Sequence, residues 1–244
     1  ININGDFDDL THYANTACLP GDITATLEML LEELNGDTGK KLREPWLEEC
    51  HAKKLEWGEF KTTRITAQPI FDEVWNCPVL TQPSAIHTVA KFANQIEAIK
   101  FFDAGDVQAN GFQIVEDHQP DQTFTETGAS YMGFSGSALL CSAYLKNPKY
   151  GIAFTGDGSF MMNPQILIDA VEHGVKGMIA LFDNRRMAAI TGLQQIQYGK
   201  EFKTNDTVAV DYVAMANAVQ GVRAIFGGNE VKDLQKALSE AHSH

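Results

Sequence analysis

The chain has 244 residues, and roughly 150 residues per domain gives one or two domains. Lys and Arg number 19 against 32 Asp and Glu, a formal net charge of −13, with 44% hydrophobic and 21% charged residues. That composition supplies a sizeable core and excludes a disordered tail. The acidic balance excludes a surface of clustered Lys and Arg for nucleic acid. No apolar run reaches the roughly 18 residues that mark a membrane span. Cys18, Cys50, Cys77 and Cys141 lie far apart with no Cys-x-x-Cys pair. This reads as free thiols in a reducing, cytoplasmic setting rather than a zinc site or disulfide scaffold.

The chain opens on Ile1-Asn2-Ile3-Asn4, an alternation that predicts a strand, and Gly5-Asp6 signals a turn. Over 22–34, Ile23, Leu27, Leu30, Leu31 and Leu34 share one helical face. Asp22 is placed to cap that helix and Gly36 to end it. One strand and one helix cannot build a core, so 1–36 reads as the tail of a preceding domain. Residues 37–69 are charged and carry Trp46, Leu47, Cys50 and Leu55, which predicts a linker with an amphipathic helix.

From residue 70 to 244 strands and helices alternate. The predicted helices are 84–97, 133–146, 164–173 (Asn163 capping, Pro164 first), 208–219 and 229–242. The predicted strands are Ile99–Phe102, Tyr150–Phe154, a buried Val175–Phe182, and Val222–Phe226. The alternation predicts an α/β fold, a parallel sheet with helices on both faces. A final helix with no following strand suggests a cut at that end too.

In such sheets ligands sit beyond the carboxyl ends of the strands. Three predicted strand ends carry polar or glycine-rich turns: 103–106, 156–159 and 183–187. In Gly156-Asp157-Gly158-Ser159 the glycines let backbone amides approach an anion, and a helix start favours phosphate. An Asp beside phosphate is repulsive unless a divalent cation bridges them, and Mg2+ takes oxygens from both. Asn184, one αβ unit later, offers a neutral amide oxygen to the same cation. Taken singly, Asp157 also reads as a turn residue and Asn184 as a cap.

Gly156-Asp157-Gly158-Ser159-Phe160-Met161-Met162-Asn163, closed by Leu181-Phe182-Asp183-Asn184, resembles the cofactor motif of the thiamine-diphosphate-dependent enzymes, in the acetolactate synthase and pyruvate oxidase group. Tyr131-Met132-Gly133-Phe134 and Asp103-Ala104-Gly105 resemble further signatures of that group. The resemblance covers 70–244 as the diphosphate-binding domain, and 1–36 resembles the end of the central domain. It implies Mg2+ bound by Asp157, Asn184 and the carbonyl of Arg186. It further implies diphosphate beside Gly105, Asp106, Val107, Gly158 and Ser159. Met132 would wedge the cofactor's bend, with Met187 nearby, and the backbone of Ser130 would meet the pyrimidine.

The sequence departs from the group in three places. Asp183 precedes Asn184 where Asn is usual, Asp106 stands where a neutral side chain is common, and Leu193 stands where acetolactate synthase carries a Trp. Arg185 and Arg186 read either as binders of an acidic substrate or as solvated charges.

The resemblance implies a thiamine-diphosphate- and Mg2+-dependent carbon–carbon lyase or carboligase acting on a 2-oxo acid, a diketone or a related small carbonyl substrate. The activating glutamate is expected from a pyrimidine-binding domain outside this chain, so no catalytic residue is assigned within it. Glu116 and Glu126 match no such motif and read as surface carboxylates. A homodimer or homotetramer follows from a cofactor held between two domain types, and FAD is possible in the intact enzyme. The alternative is a non-catalytic cofactor-binding module that needs a partner. An unrelated Mg2+-dependent phosphotransferase is disfavoured, because no Gly-x-x-x-x-Gly-Lys-Ser/Thr loop is present. The seven histidines form no metal-ligand spacing, and His118 reads as a surface loop residue.

Overall fold

A computed structural model describes residues 1–34, 40–204 and 208–244. The chain forms two compact units, Ile1–Trp57 and Gly58–His244.

In the first unit, β1 (Asn2–Asn4) pairs in parallel with β2 (Cys18–Pro20), and α1 (Phe7–Leu10) connects them. The parallel partner β2 was not legible, since Cys-Leu-Pro carries no alternation. Helix α2 (Ile23–Leu34) forms as expected, and the Asp22 carboxylate accepts the Ala25 amide at 2.9 Å as its cap. Gly36, the expected stop, lies outside the described residues. Ile23, Leu27, Leu31 and Leu34 are exposed. Helix α3 (Lys40–Ile65) carries Pro45 within its early turns and runs on into the second unit.

The second unit opens with an antiparallel hairpin, β3 (Ile70–Asp72) and β4 (Cys77–Val79). The Asp72 carboxylate accepts the Val74 and Trp75 amides, and Asn76 takes φ +52°. Asp and Asn favour such turns by bonding the local backbone and tolerating the left-handed region. There follow α4 (Gln82–Gln95, capped by Thr81), β5 (Ile99–Phe102), α5 (Asp106–Ile114), β6 (Thr123–Thr125), α6 (Phe134–Leu139), α7 (Cys141–Tyr144), β7 (Gly151–Gly156), α8 (Asp157–Phe160), α9 (Ile166–Glu172), β8 (Gly177–Phe182), α10 (Ala188–Tyr198), α11 (Tyr212–Asn217) and α12 (Val231–His242).

The main sheet has the order β6-β5-β7-β8 and every pairing is parallel. Side chains alternate across it. Phe102, Ile152 and Phe154 meet Ile86 and Val89 of α4, Val107 and Ile114 of α5, and Leu238 of α12 on one face. Ile99, Phe101 and Ala153 meet Leu139 of α6 on the other. The fold is therefore the expected α/β sheet with helices on both faces.

Several expected elements are corrected. The helix over 133–146 is two helices, α6 and α7, broken at Leu140, where the Ser142 hydroxyl donates to the Leu139 carbonyl at 2.7 Å. Helix α9 starts at Ile166, and Asn163 does not cap it: its amide donates to Ser137 Oγ at 3.0 Å. Strand β8 is half-buried rather than buried, because it is the last strand of the described sheet. Val222–Phe226 forms no strand. Both backbone groups of Ala224 bond the side-chain amide of Asn217, at 2.8 and 3.1 Å, so a local partner replaces the ladder. Among the described residues no helix is long and apolar enough to cross a membrane. All four cysteines are free thiols.

Candidate functional site

Three of the parallel strands, β5, β7 and β8, end in the turns singled out from sequence. Register pairing of Gly156 with Phe182 sets the ends of β7 and β8 side by side. Asp157 follows one and Asn184 the other, so both oxygen donors rise from neighbouring strand ends.

Asp157 is 5% exposed. Its Oδ2 accepts the Arg185 amide at 3.0 Å, and Asn184 Oδ1 accepts the Arg186 amide at 3.1 Å. The 183–186 loop thus folds around both donors. Arg185 adopts φ +51°, a conformation that a non-glycine residue holds only when its surroundings impose it.

Gly105 begins α5 at φ +82°, where a side chain would be strained. Its peptide opens the helix N-terminus without a side chain over it. Val107 turns inward at 3% exposure and joins the core rather than the surface of the site. Asp106 is half-buried, and burial pushes its carboxyl above the usual range.

Gly158 lies between two methionines. A Cβ there would stand 3.2 Å from Met132 Cε and 3.6 Å from Met187 Sδ. Met132, Gly158 and Met187 are thereby brought together by three separate segments. Ser159, next in the chain, is buried at 4% exposure. Met187 opens α10, and its amide donates to the Thr204 carbonyl at 2.8 Å.

Ser130 is exposed, with φ +50°. Both oxygens of Glu126 accept the Ala129 amide, which closes the turn before it, and these backbone bonds hold the Glu126 carboxyl below its usual range. Glu126 is thus the expected surface carboxylate, and it also folds the turn before Ser130. Ser130 Oγ donates to Gln108 Oε1 at 3.3 Å, and Gln108 Nε2 donates to Thr125 Oγ1 and the Glu126 carbonyl.

Asp103 and Gln108 were not singled out as site residues from sequence. Asp103 is fully buried at the end of β5. It accepts Gly133 N (2.9 Å), Ser135 Oγ (2.9 Å) and Thr155 Oγ1 (2.8 Å), as well as the Ala104 amide. One carboxylate thus ties together the end of β5, the start of α6 and the end of β7. An Asp at a strand end, followed by small residues, was its available signal.

Arg185 and Arg186 are partly buried and engaged within the chain rather than solvated. Arg186 pairs with Asp72 at 3.2 Å, and the Arg185 guanidinium stacks 3.8 Å over the Trp75 ring. A cleft of about 1580 Å³ runs along β8 and reaches Asp72, Asp106 and Asn184, but Met132, Asp157 and Gly158 do not line it.

Among the described residues no three His, Cys, Asp or Glu side chains converge on a metal position. A cation here would depend on one carboxylate, one amide oxygen and main-chain carbonyls. That all-oxygen set suits a hard ion such as Mg2+, which keeps other positions for water or phosphate. The bare Gly158 between two methionines and the open peptide at Gly105 fit a flexed, anionic ligand.

A parallel sheet with backbone-lined turns at adjoining strand ends defines a ligand-binding α/β domain. Residues 103–244 match the family described as thiamine pyrophosphate enzyme, C-terminal TPP binding domain, and the chain belongs to that family. It is 26% identical over 232 residues to a 3D-(3,5/4)-trihydroxycyclohexane-1,2-dione hydrolase of Bacillus velezensis, covering 88% of this chain and 36% of that protein. It is 32% identical over 125 residues to a probable acetolactate synthase large subunit of Methanococcus aeolicus, covering 50% of this chain and 20% of that protein. The fold matches the thiamine diphosphate-dependent 4-hydroxybenzoylformate decarboxylase of Rhodococcus jostii at TM-score 0.60 and 19% identity, over 68% of this chain and 31% of that one. The chain spans about a third of the length of the first two hydrolase relatives it matches.

Proposed function

We propose that this chain is the diphosphate-binding part of a thiamine-diphosphate- and Mg2+-dependent enzyme that breaks or forms carbon–carbon bonds in a vicinal dicarbonyl, a 2-oxo acid or a 1,2-dione. The observation that carries the reading is the convergence of Asp157 and Asn184 on adjoining strand ends beside the Met132–Gly158–Met187 cradle. The names of the relatives support the substrate class, since they span a cyclic 1,2-dione and aryl 2-oxo acids. They include a hydrolase, a synthase and decarboxylases, so the reading stops at the class.

In this reading residues 70–244 form the binding domain, 1–36 belong to a preceding domain, and 37–69 link them. Asp157, Asn184 and the Arg186 carbonyl hold the cation. Gly105, Gly158 and Ser159 present peptide groups to the diphosphate. Asp106 stands at its edge and Val107 supports the turn from within. Met132 and Met187 keep the cofactor bent, and the Ser130 backbone meets its pyrimidine. When bound, the cofactor supplies a nucleophilic carbon for addition to a carbonyl. The activating glutamate comes from a pyrimidine-binding domain not in this chain, which makes a dimer or tetramer the working assembly.

Calorimetric titration of thiamine diphosphate with and without Mg2+ tests the reading. We expect Mg2+-dependent binding that Asp157→Ala weakens by at least about 10-fold, the lower end of the loss when even a residue that only orients a metal ligand is removed. Binding that ignores both Mg2+ and the substitution contradicts it.

A further inference from the structure

We infer that the β3–β4 hairpin clamps the 183–186 loop, with Asp72 and Trp75 as positioning residues that set the affinity for the cation. This deepens the proposed function and rests on its reading of that loop. Three hairpin contacts grip three of the four loop residues. Trp75 Nε1 donates to the Asp183 carbonyl at 3.1 Å. The Trp75 ring lies 3.8 Å beneath the Arg185 guanidinium. The Asp72 carboxylate takes Arg186 Nη2 at 3.2 and 3.3 Å. Asn184, the residue left between these contacts, is the proposed ligand.

The hairpin is built for this. Asp72 Oδ1 also accepts the Val74 and Trp75 amides, so the residue that pairs Arg186 folds the turn that aims Trp75. Pinning both arginine side chains imposes the left-handed backbone at Arg185 (φ +51°). That backbone directs the Arg185 amide to Asp157 Oδ2 and the Arg186 amide to Asn184 Oδ1. Asp72 and Trp75 therefore act on the two donors through the loop. Partners that orient ligands in this way typically carry 10- to 100-fold in metal affinity.

The test combines amide hydrogen exchange of the 183–187 segment in the cofactor-free chain with the Mg2+ dependence of thiamine diphosphate binding. The variants are Trp75→Ala, Trp75→Phe, Asp72→Ala and Asp72→Asn. We expect faster exchange in 183–187 for the Ala variants, with α4 unchanged, and half-saturating Mg2+ raised about 10-fold. Trp75→Phe keeps the ring under Arg185 and restores part of the protection. Unchanged exchange in 183–187 overturns the clamp. If the Ala variants loosen α4 as well, Trp75→Phe and Asp72→Asn decide, and no local effect in either overturns it. A wild-type chain that shows no Mg2+-dependent binding sinks the cation reading, while the exchange data still judge the clamp.

Discussion

Asp106 is the residue most at odds with an anion site. It opens α5 beside Gly105, and burial raises its carboxyl above the usual range. The folded chain thus holds this proton more tightly than the unfolded chain does. The stabilisation is complete below the unfolded carboxylate value and is lost as pH rises through the higher folded one. At neutral pH the ionised group is a cost to folding, and in the proposed site it would repel a diphosphate. Asp106→Asn is expected to raise the urea midpoint at pH 7 and to tighten thiamine diphosphate binding several-fold. The stability gain should shrink as pH falls into the carboxylate range. Equal midpoints at pH 7 would show that the carboxylate is solvated and harmless. Asp106 was legible as a departure from sequence, since its type conflicts with its place. Asp103 was legible only as part of a strand-end turn: its role rests on three partners from 30, 32 and 52 residues away, which no local pattern displays.

Among the elements, the long ones announced themselves. Strand β7 is an apolar run and β5 one broken only by Lys100, both closed by glycine turns, and α4 and α12 carry clear apolar faces. Hairpin β3–β4 and strand β6 have three residues per strand, too few for a period to show. Helix α10 was hidden by Thr191 and Gly192 amid its apolar positions. Val222–Phe226 shows the converse, an apolar run that reads as a strand but is held by Asn217 instead.

Lys100 in β5 is a further local surprise. It is fully buried on the sheet face of Phe102 and bonds Asn94 Oδ1 at 2.8 Å and Asp117 Oδ1 at 3.1 Å. Lys100 is buried and Asp117 is exposed, so removing Asp117 leaves the buried ammonium with Asn94 alone. Asp117→Ala is expected to cost about 2 kcal/mol, whereas Lys100→Met, which removes the charge and fills the space, should be within about 1 kcal/mol of neutral. Chemical denaturation of both variants checks this, and equal losses would mean that the pair contributes no more than packing.

At the scale of the whole molecule, the proposed cation–diphosphate site joins three segments distant in sequence, 105–107, 157–159 and 184–187. The parallel topology brings them to the same edge because every strand of the sheet points the same way. That much was legible from strand-end turns. The loop grip by Asp72 and Trp75 was not, since their partners lie more than a hundred residues away.

The most direct measurement is electron paramagnetic resonance of Mn2+ substituted for Mg2+, with thiamine diphosphate added, on the wild type and on Asp157→Ala. We expect phosphorus hyperfine coupling from the diphosphate on the bound Mn2+, present in the wild type and lost in the variant. A spectrum unchanged by the cofactor, or the same coupling in Asp157→Ala, would contradict a shared site at these strand ends.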